Sequence, residues 1–375
     1  MPDSQLKINE RSIRRGIQSL INITNSIINH TGSNIPVGQV TEITNSENLT
    51  ILDFNLAKNI ALIKLSNTSF GIAKIENKEI SSYTTLTKNQ LGITADTEIQ
   101  NACLHYIESS DELCLYAVYF KDVNGTVYFS NTKINSETGQ IIRTQTCNCS
   151  RGRGYMVVTY QYGITARPGH DEFSVVTTTH GVNLVDNDLY IITNNNNNLV
   201  CNRYNLQEYG GADNNRTEYQ YAICYYNDSG NNLSISVLKR NTSGTNYGQN
   251  RIYSINSSGT IGSTLVNQGT SLNTSSIGIF LTDSIYIYGN SVRNTSNLNN
   301  SIYTLPFTLT TSTIFNIANN YIGIYSGNRI NIYEITLSSY TLVESFSAAG
   351  ILTSESEHNC INGTSTNLLK IYRVE

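Results

Sequence analysis

The stretch Tyr321-Ile322-Gly323-Ile324-Tyr325-Ser326-Gly327-Asn328-Arg329-Ile330-Asn331-Ile332-Tyr333-Glu334-Ile335 decides the reading of this chain. In Arg329 to Ile335 apolar and polar residues alternate strictly, the period of a half-buried β-strand whose side chains point to opposite faces in turn. Tyr321 to Tyr325 reads as its partner. Ser326-Gly327-Asn328 reads as the hairpin turn between them, because Gly and Asn tolerate the positive φ that tight turns require. Tyr340-Thr341-Leu342-Val343-Glu344 supplies a third strand.

The same pattern recurs upstream. Ile277 to Leu281, Ser284 to Tyr288 and Ser301 to Leu305 form one unit, and Tyr221 to Tyr225, Leu233 to Leu238 and Arg251 to Ile255 another. Further units contain Tyr155 to Tyr160 with Leu189 to Ile192 and Leu199 to Cys201, then Leu113 to Phe120 with Gly125 to Phe129, and first Ile60 to Leu65 with Ser69 to Ile75. They repeat at roughly 45–55 residues, the range of propeller blades. A lone four-stranded sheet leaves a face uncovered, whereas sheets packed radially cover one another and leave only short edges. The expected fold is therefore all-β, a β-propeller of six or seven blades over residues 48–375, preceded by a helical module over 1–47. A pair of β-sandwiches or jelly rolls is the rival, without a reason to repeat. Leu368 to Val374 is expected to close the ring by pairing with an early strand near Leu49 to Phe54.

Composition agrees. The chain has 375 residues, 39% hydrophobic and only 14% charged, with 25 Tyr, 4 Pro and no Trp. Tyr, Ile, Thr and Val suit strands, while Asn, Gly and Ser suit turns. Asn, Ile, Lys and Tyr also have AT-rich codons, so base composition alone could raise the Asn content. The net charge of −4 is mild and offers no basic footprint for nucleic acid. No apolar run reaches the length of a membrane span, and the polar N-terminus lacks a secretory pattern. The seven cysteines, at 103, 114, 147, 149, 201, 224 and 360, are odd in number and irregular in spacing, which favours reduced core thiols over a disulfide framework.

Residues 9–31 carry the helical signal. Ile13, Ile17, Leu20, Ile21, Ile27 and Ile28 fall mostly on one face; Asn9 is a candidate N-cap and Gly32 a candidate stop. Arg11, Arg14 and Arg15 lie near the helix start, against the dipole, which points either to a contact elsewhere or to a solvated face. The candidate docking residues are thus Arg11, Ile13, Arg14, Arg15, Ile17, Leu20, Ile21 and Ile28.

Searches for chemistry give little. His30, His105, His170, His180 and His358 form no metal-binding pattern, and Cys147-Asn148-Cys149 has no second pair at ligand spacing. No nucleophile elbow or phosphate-binding loop occurs, and Ser150 to Gly154 is a small basic loop that reads as a solvated turn or an anion contact. Asp171, Glu172, Asp186 and Asp188 are candidates for a glycosidase pair, though such local pairs arise by chance among 28 acidic residues. The absence of Trp excludes the repeated boxes of sialidase-like and WD propellers. No catalytic residue, cofactor or metal is assigned. The Asn194 to Asn198 run reads as a flexible hairpin tip, and exposed Tyr and Asn would suit carbohydrate or protein binding.

Ile27-Ile28-Asn29-His30-Thr31-Gly32-Ser33-Asn34-Ile35-Pro36 followed by Val40-Thr41-Glu42-Ile43 resembles a short module of tail and other structural proteins from phages of Gram-positive bacteria. It departs from that pattern at Asn29-His30, where basic residues are common, and at Val40, where Met is usual. The resemblance implies a non-enzymatic virion or tail-like particle component, made in the bacterial cytoplasm and oligomeric within the particle. Its helix would dock onto tail or baseplate proteins, and its ring would present a surface to a neighbouring protein or a host glycan. The alternatives are a stand-alone lectin-like propeller and a polysaccharide-degrading enzyme.

Overall fold

The computed structural model describes residues 35–121, 125–150, 158–180, 187–206, 217–241, 246–268, 276–310, 317–351, 360–365 and 367–374. The N-terminal helix expected over 9–31, with all eight of its candidate docking residues, lies outside the described residues. Among those described the chain is all-β, and its one helical turn is Glu108–Ser110.

The strands form a β-propeller of six hydrogen-bonded sheets, one of them double. Five sheets have four strands each. They run over Glu98–Ser150, Val158–Asn205, Thr217–Gln268, Gly278–Thr304 and Ile317–Ser347. The sixth has eight strands and consists of two four-stranded halves. One half is Thr50–Asn55, Ile60–Ser66, Ser69–Glu76 and Glu79–Thr87. The other is Gly350–Ile351, Cys360–Ser365 and Leu368–Arg373, completed by Val40–Thr44 from the other end of the chain. A single parallel pair, Thr44 with Glu79, joins the halves. We number the four-stranded units 1 to 7 from Thr50 onward, unit 7 being the half that contains Val40–Thr44.

Seven apolar clusters lie between neighbouring units, one per joint. Leu62 and Ile72 of unit 1 meet Leu104 and Leu115 of unit 2; Tyr116 and Phe129 meet Phe173 and Tyr190 at the next joint. At the far side Ile43, Leu369 and Ile371 of unit 7 meet Phe54, Ile63 and Ala73 of unit 1. The core is therefore a ring of interfaces rather than one central mass, which is how each sheet covers both of its faces.

Ring closure departs from the sequence expectation. Leu368–Arg373 does pair with an early strand, but that strand is Val40–Thr44, in register from Val40 with Tyr372 to Thr44 with Leu368. The segment near Leu49 to Phe54 instead begins unit 1. Ile43 is fully buried and Thr41 nearly so, which explains the choice: Val40-Thr41-Glu42-Ile43 alternates like any other strand. The expected period also fails. First strands begin at Thr50, Glu98, Val158, Thr217, Gly278, Ile317 and Gly350, so the spacing runs from 33 to 61 residues. Strand length accounts for much of this, since the strands of units 3 and 4 run to 8–10 residues and those of unit 5 to 2–4.

The joints are also pinned by polar groups. Asp53, fully buried, accepts the backbone N–H of Leu104 at 2.8 Å and ties unit 1 to unit 2. Arg167, 1% exposed, reaches from unit 3 into unit 4, donating to the carbonyls of Gly230 at 2.8 Å and Asn256 at 3.0 Å and pairing with Glu172 at 2.5 Å. Between units 4 and 5, Gly278 donates its N–H to Ser236 Oγ at 2.9 Å, and Asn250 holds the buried Tyr286 hydroxyl. Buried polar groups that find partners across a joint fix one relative placement of the sheets.

Candidate functional site

Among the described residues an aromatic surface lies where the outer strand of unit 5, Tyr303–Thr304, approaches the outer strand of unit 6, Tyr340–Ser347. Outer strands have water on one side, so their alternate residues need not be apolar. Here they are: Tyr340 is 40% exposed, Leu342 53% and Val343 41%, with Ile302 at 47% on the facing unit. Tyr303 and Tyr340 stack across the joint with centroids 6.3 Å apart and planes at 24°. Tyr333 meets Tyr340 edge-on at 6.3 Å, and Phe307 lies 4.7 Å from Tyr333.

The local fold holds these rings in place. Thr336 Oγ1 accepts the N–H groups of Ser338 and Ser339 and closes the turn before the outer strand. The Tyr303 hydroxyl sits 2.7 Å from the carbonyls of both Thr336 and Ser339, a bifurcated donor that fastens unit 5 to that turn. Partial burial first, and the neighbouring Tyr340 second, push the Tyr303 phenol above its ordinary pKa, so it keeps the proton that this contact uses. Tyr303, Phe307, Tyr333 and Leu337 rest on the apolar cluster between the units. Asn320 donates to Glu334 at 3.0 Å alongside them. The result is a firmly backed apolar platform with hydroxyls and amides at its rim, an arrangement suited to cover the C–H face of a sugar ring or a side chain of a protein partner. A cleft opens between units 6 and 7, lined by Asn328, Ser347, Ala349 and Lys370 among others; there Lys370 donates to Ser347 at 3.1 Å and lies 3.7 Å from Glu42.

The carboxylates weighed from the sequence are separated into different networks. Asp171 accepts from Tyr116 at 3.0 Å, Asn131 at 2.6 Å and Asn194 at 2.5 Å, bridging units 2 and 3. Glu172 is the partner of Arg167, and Asp188 pairs with Arg203 at 2.8 Å. Asp186 lies outside the described residues, as do Arg151 to Gly154, His30 and His358. His105 is buried 5.9 Å from the Tyr116 ring, and burial followed by the Arg167 charge lowers the His170 pKa. The Asn run is a two-residue hairpin turn: Asn195 pairs with Asn198, while Asn196 and Asn197 have φ of 50° and 66°. Asn194 belongs to the strand and is pinned to Asp171. Cys147 and Cys149 are joined by Cys201, which alternation in the two strands places on facing surfaces of units 2 and 3. Among the described residues no group of three or more His, Cys, Asp or Glu is arranged to hold a metal ion, and no helix is long and apolar enough to cross a membrane.

No family model matches this chain, and no curated protein matches it. Solved structures that superpose on it include the Dos1 propeller, 12% identical, covering 87% of this chain and 78% of that one with a TM-score of 0.49. The Nup133 β-propeller domain of Vanderwaltozyma polyspora is 12% identical and covers 89% and 96%, with a TM-score of 0.37. A mutant of Synechocystis ACO is 11% identical and covers 76% and 71%, also at 0.37.

Proposed function

We propose that this chain is a non-enzymatic binding propeller whose Tyr303–Tyr333–Tyr340 platform takes a carbohydrate of a bacterial cell envelope, and that it acts as a tail or baseplate component of a phage or phage-like particle. The observation that carries the binding reading is the platform: Tyr340 exposed on an outer strand, set against the half-buried Tyr303 and Tyr333 and backed by a packed joint. Exposed aromatic groups without a ligand are disfavoured by water, and rigid ones lose little conformational freedom when a ligand covers them. The particle reading is supported by the resemblance of residues 27–43 to a module of phage structural proteins. Its second half, Val40 to Ile43, serves here as ring strand, so docking falls to the segment before it.

Glycan-array binding by the full chain tests the first part. Tyr340→Ala is expected to weaken the strongest signal about tenfold, the loss of one stacked ring contributing on the order of 1–1.5 kcal/mol, with the chain still folded and its melting temperature lowered by only a few degrees. No glycan signal from a folded chain overturns the glycan reading, and release of reducing sugar would revive the enzyme alternative. Particle incorporation is tested by deleting residues 1–34; a deletion through residue 47 would also remove the closing strand. Normal incorporation of the 1–34 deletion counts against docking through that segment.

A further inference from the structure

Three thiols meet at the joint between units 2 and 3. Cys147 and Cys149 are alternate residues of Ile141–Ser150, the outer strand of unit 2, where they are half-buried between the exposed Thr146, Asn148 and Ser150. Cys201 lies on Asn198–Asn205, the outer strand of unit 3, and is half-buried as well. All three pack against one apolar cluster, and all three are free thiols. Nothing in the aromatic platform, three units further along the chain, depends on them.

We propose that Cys147 and Cys201 are a thiol–disulfide exchange site that reacts with low-molecular-weight disulfides and locks unit 2 to unit 3. The step balances without another reagent. The Cys147 thiolate attacks one sulfur of the small disulfide, whose S–S bond breaks; one small thiolate leaves and takes up a proton. Cys201 then loses its proton to solvent and attacks the Cys147 sulfur of the mixed disulfide, expelling the second small thiol. Two protein thiols are oxidised and one disulfide is reduced to two thiols.

Three observations choose this pair. The facing strands are in register for it: Arg143 bonds to Asn197 and Gln145 to Asn194, the partner of Leu199, so two residues further along Cys147 falls opposite Cys201; the closeness of Cys147, and then burial, holds the Cys201 proton on. Arg203, two residues beyond Cys201 and so on its face of the strand, lies near enough to Cys149 for their charges to interact, which brings a cation to the trio. The other thiols of the region are shut away: Cys103 and Cys114 are fully buried, and burial followed by the Asp171 charge pushes the Cys114 pKa up. Cys149, left over by the bond, would stay reduced beside it.

The test is incubation of the native full chain with oxidised glutathione, followed by intact mass and non-reducing peptide mapping. The expected result is loss of two hydrogens, a Cys147 peptide linked to the Cys201 peptide, and a melting temperature that rises by a few degrees and falls back on reduction. Cys201→Ser is expected to stop at a persistent glutathione adduct on Cys147. Unreacted thiols at the trio, glutathione adducts without a cross-link in the unsubstituted chain, a Cys147–Cys149 bond, or a bond between two chains would each overturn the proposal.

Discussion

Asp228 and Asp283 lie together where a turn of unit 4 meets unit 5. Asp283 accepts the Asn227 side-chain amide at 2.7 Å and the Ser229 N–H at 2.8 Å. Desolvation of the Asp228 carboxyl, and then the charge of Asp283, raise its pKa from 3.8 to about 6, although the residue as a whole is exposed. A carboxyl that binds its proton more tightly in the folded state stabilises the fold below its unfolded pKa, and that contribution is lost as pH rises through the folded value. Asp228→Asn should therefore match the parent near pH 4 and exceed it at pH 7.5, by about 1 kcal/mol once solvent screening of an exposed group is allowed for. Urea melts at the two pH values measure this; equal differences at both would reject it. At this scale the sequence was only partly legible. Its Asn content could be ascribed to codon bias, yet seven of the nine described non-glycine residues with positive φ are Asn, which gives some of those residues a defined role in the turns. The partnership of Cys201 with Cys147 and Cys149 was hidden because it depends on two strands 50 residues apart facing one another.

At the scale of elements, central strands were plain in the sequence, as was the outer strand at Tyr340, while other outer strands were not. Leu113 to Phe120 and Arg329 to Ile335 match Glu112–Phe120 and Arg329–Ile335. The turn at Gly327 and Asn328, with φ of 58° and 60°, lies where Ser326-Gly327-Asn328 put it. The outer strands Ile141–Ser150 and Ile261–Gln268 gave no clear signal. They sit at or near the rim with one side in water, so polar residues are tolerated there and the apolar period fades. Packing of element on element is equally silent in a sequence. Gly163, on the first strand of unit 3, comes so close to unit 4 that an added Cβ would lie 2.7 Å from the Ala222 carbonyl oxygen. Backbone cannot step aside as a flexible side chain can. Gly163→Ala is expected to cost about 1–3 kcal/mol, read as a lower melting temperature with an unchanged circular dichroism spectrum. A stability equal to the parent would mean that the joint can open without penalty.

The whole molecule is a closed circle of sheets fastened by one ladder, Val40–Thr44 with Leu368–Arg373. Alternation alone implied repeated sheets, but not which strand closes them, because the ladder joins segments about 330 residues apart. Removing residues 367–375 should leave Ile43 and its neighbours without the strand that covers them. The shortened chain is expected to lose cooperative melting and to appear largely in the insoluble fraction, whereas removal of 1–34 should leave melting of the ring intact. A soluble, cooperatively melting 367–375 deletion would show that the last unit is dispensable.

That ladder also sets a timetable. Val40–Thr44 leaves the ribosome early, and the strand it needs is translated only after units 1 to 6 are complete. Until then each growing intermediate is an open arc with a bare sheet at its leading end, the kind of surface on which nascent chains snag one another. Contacts between distant segments form slowly, so closure is a late event that a partner waiting on the finished ring would detect. A binding surface assembled at the joint of units 5 and 6 would thus mature shortly before the circle shuts.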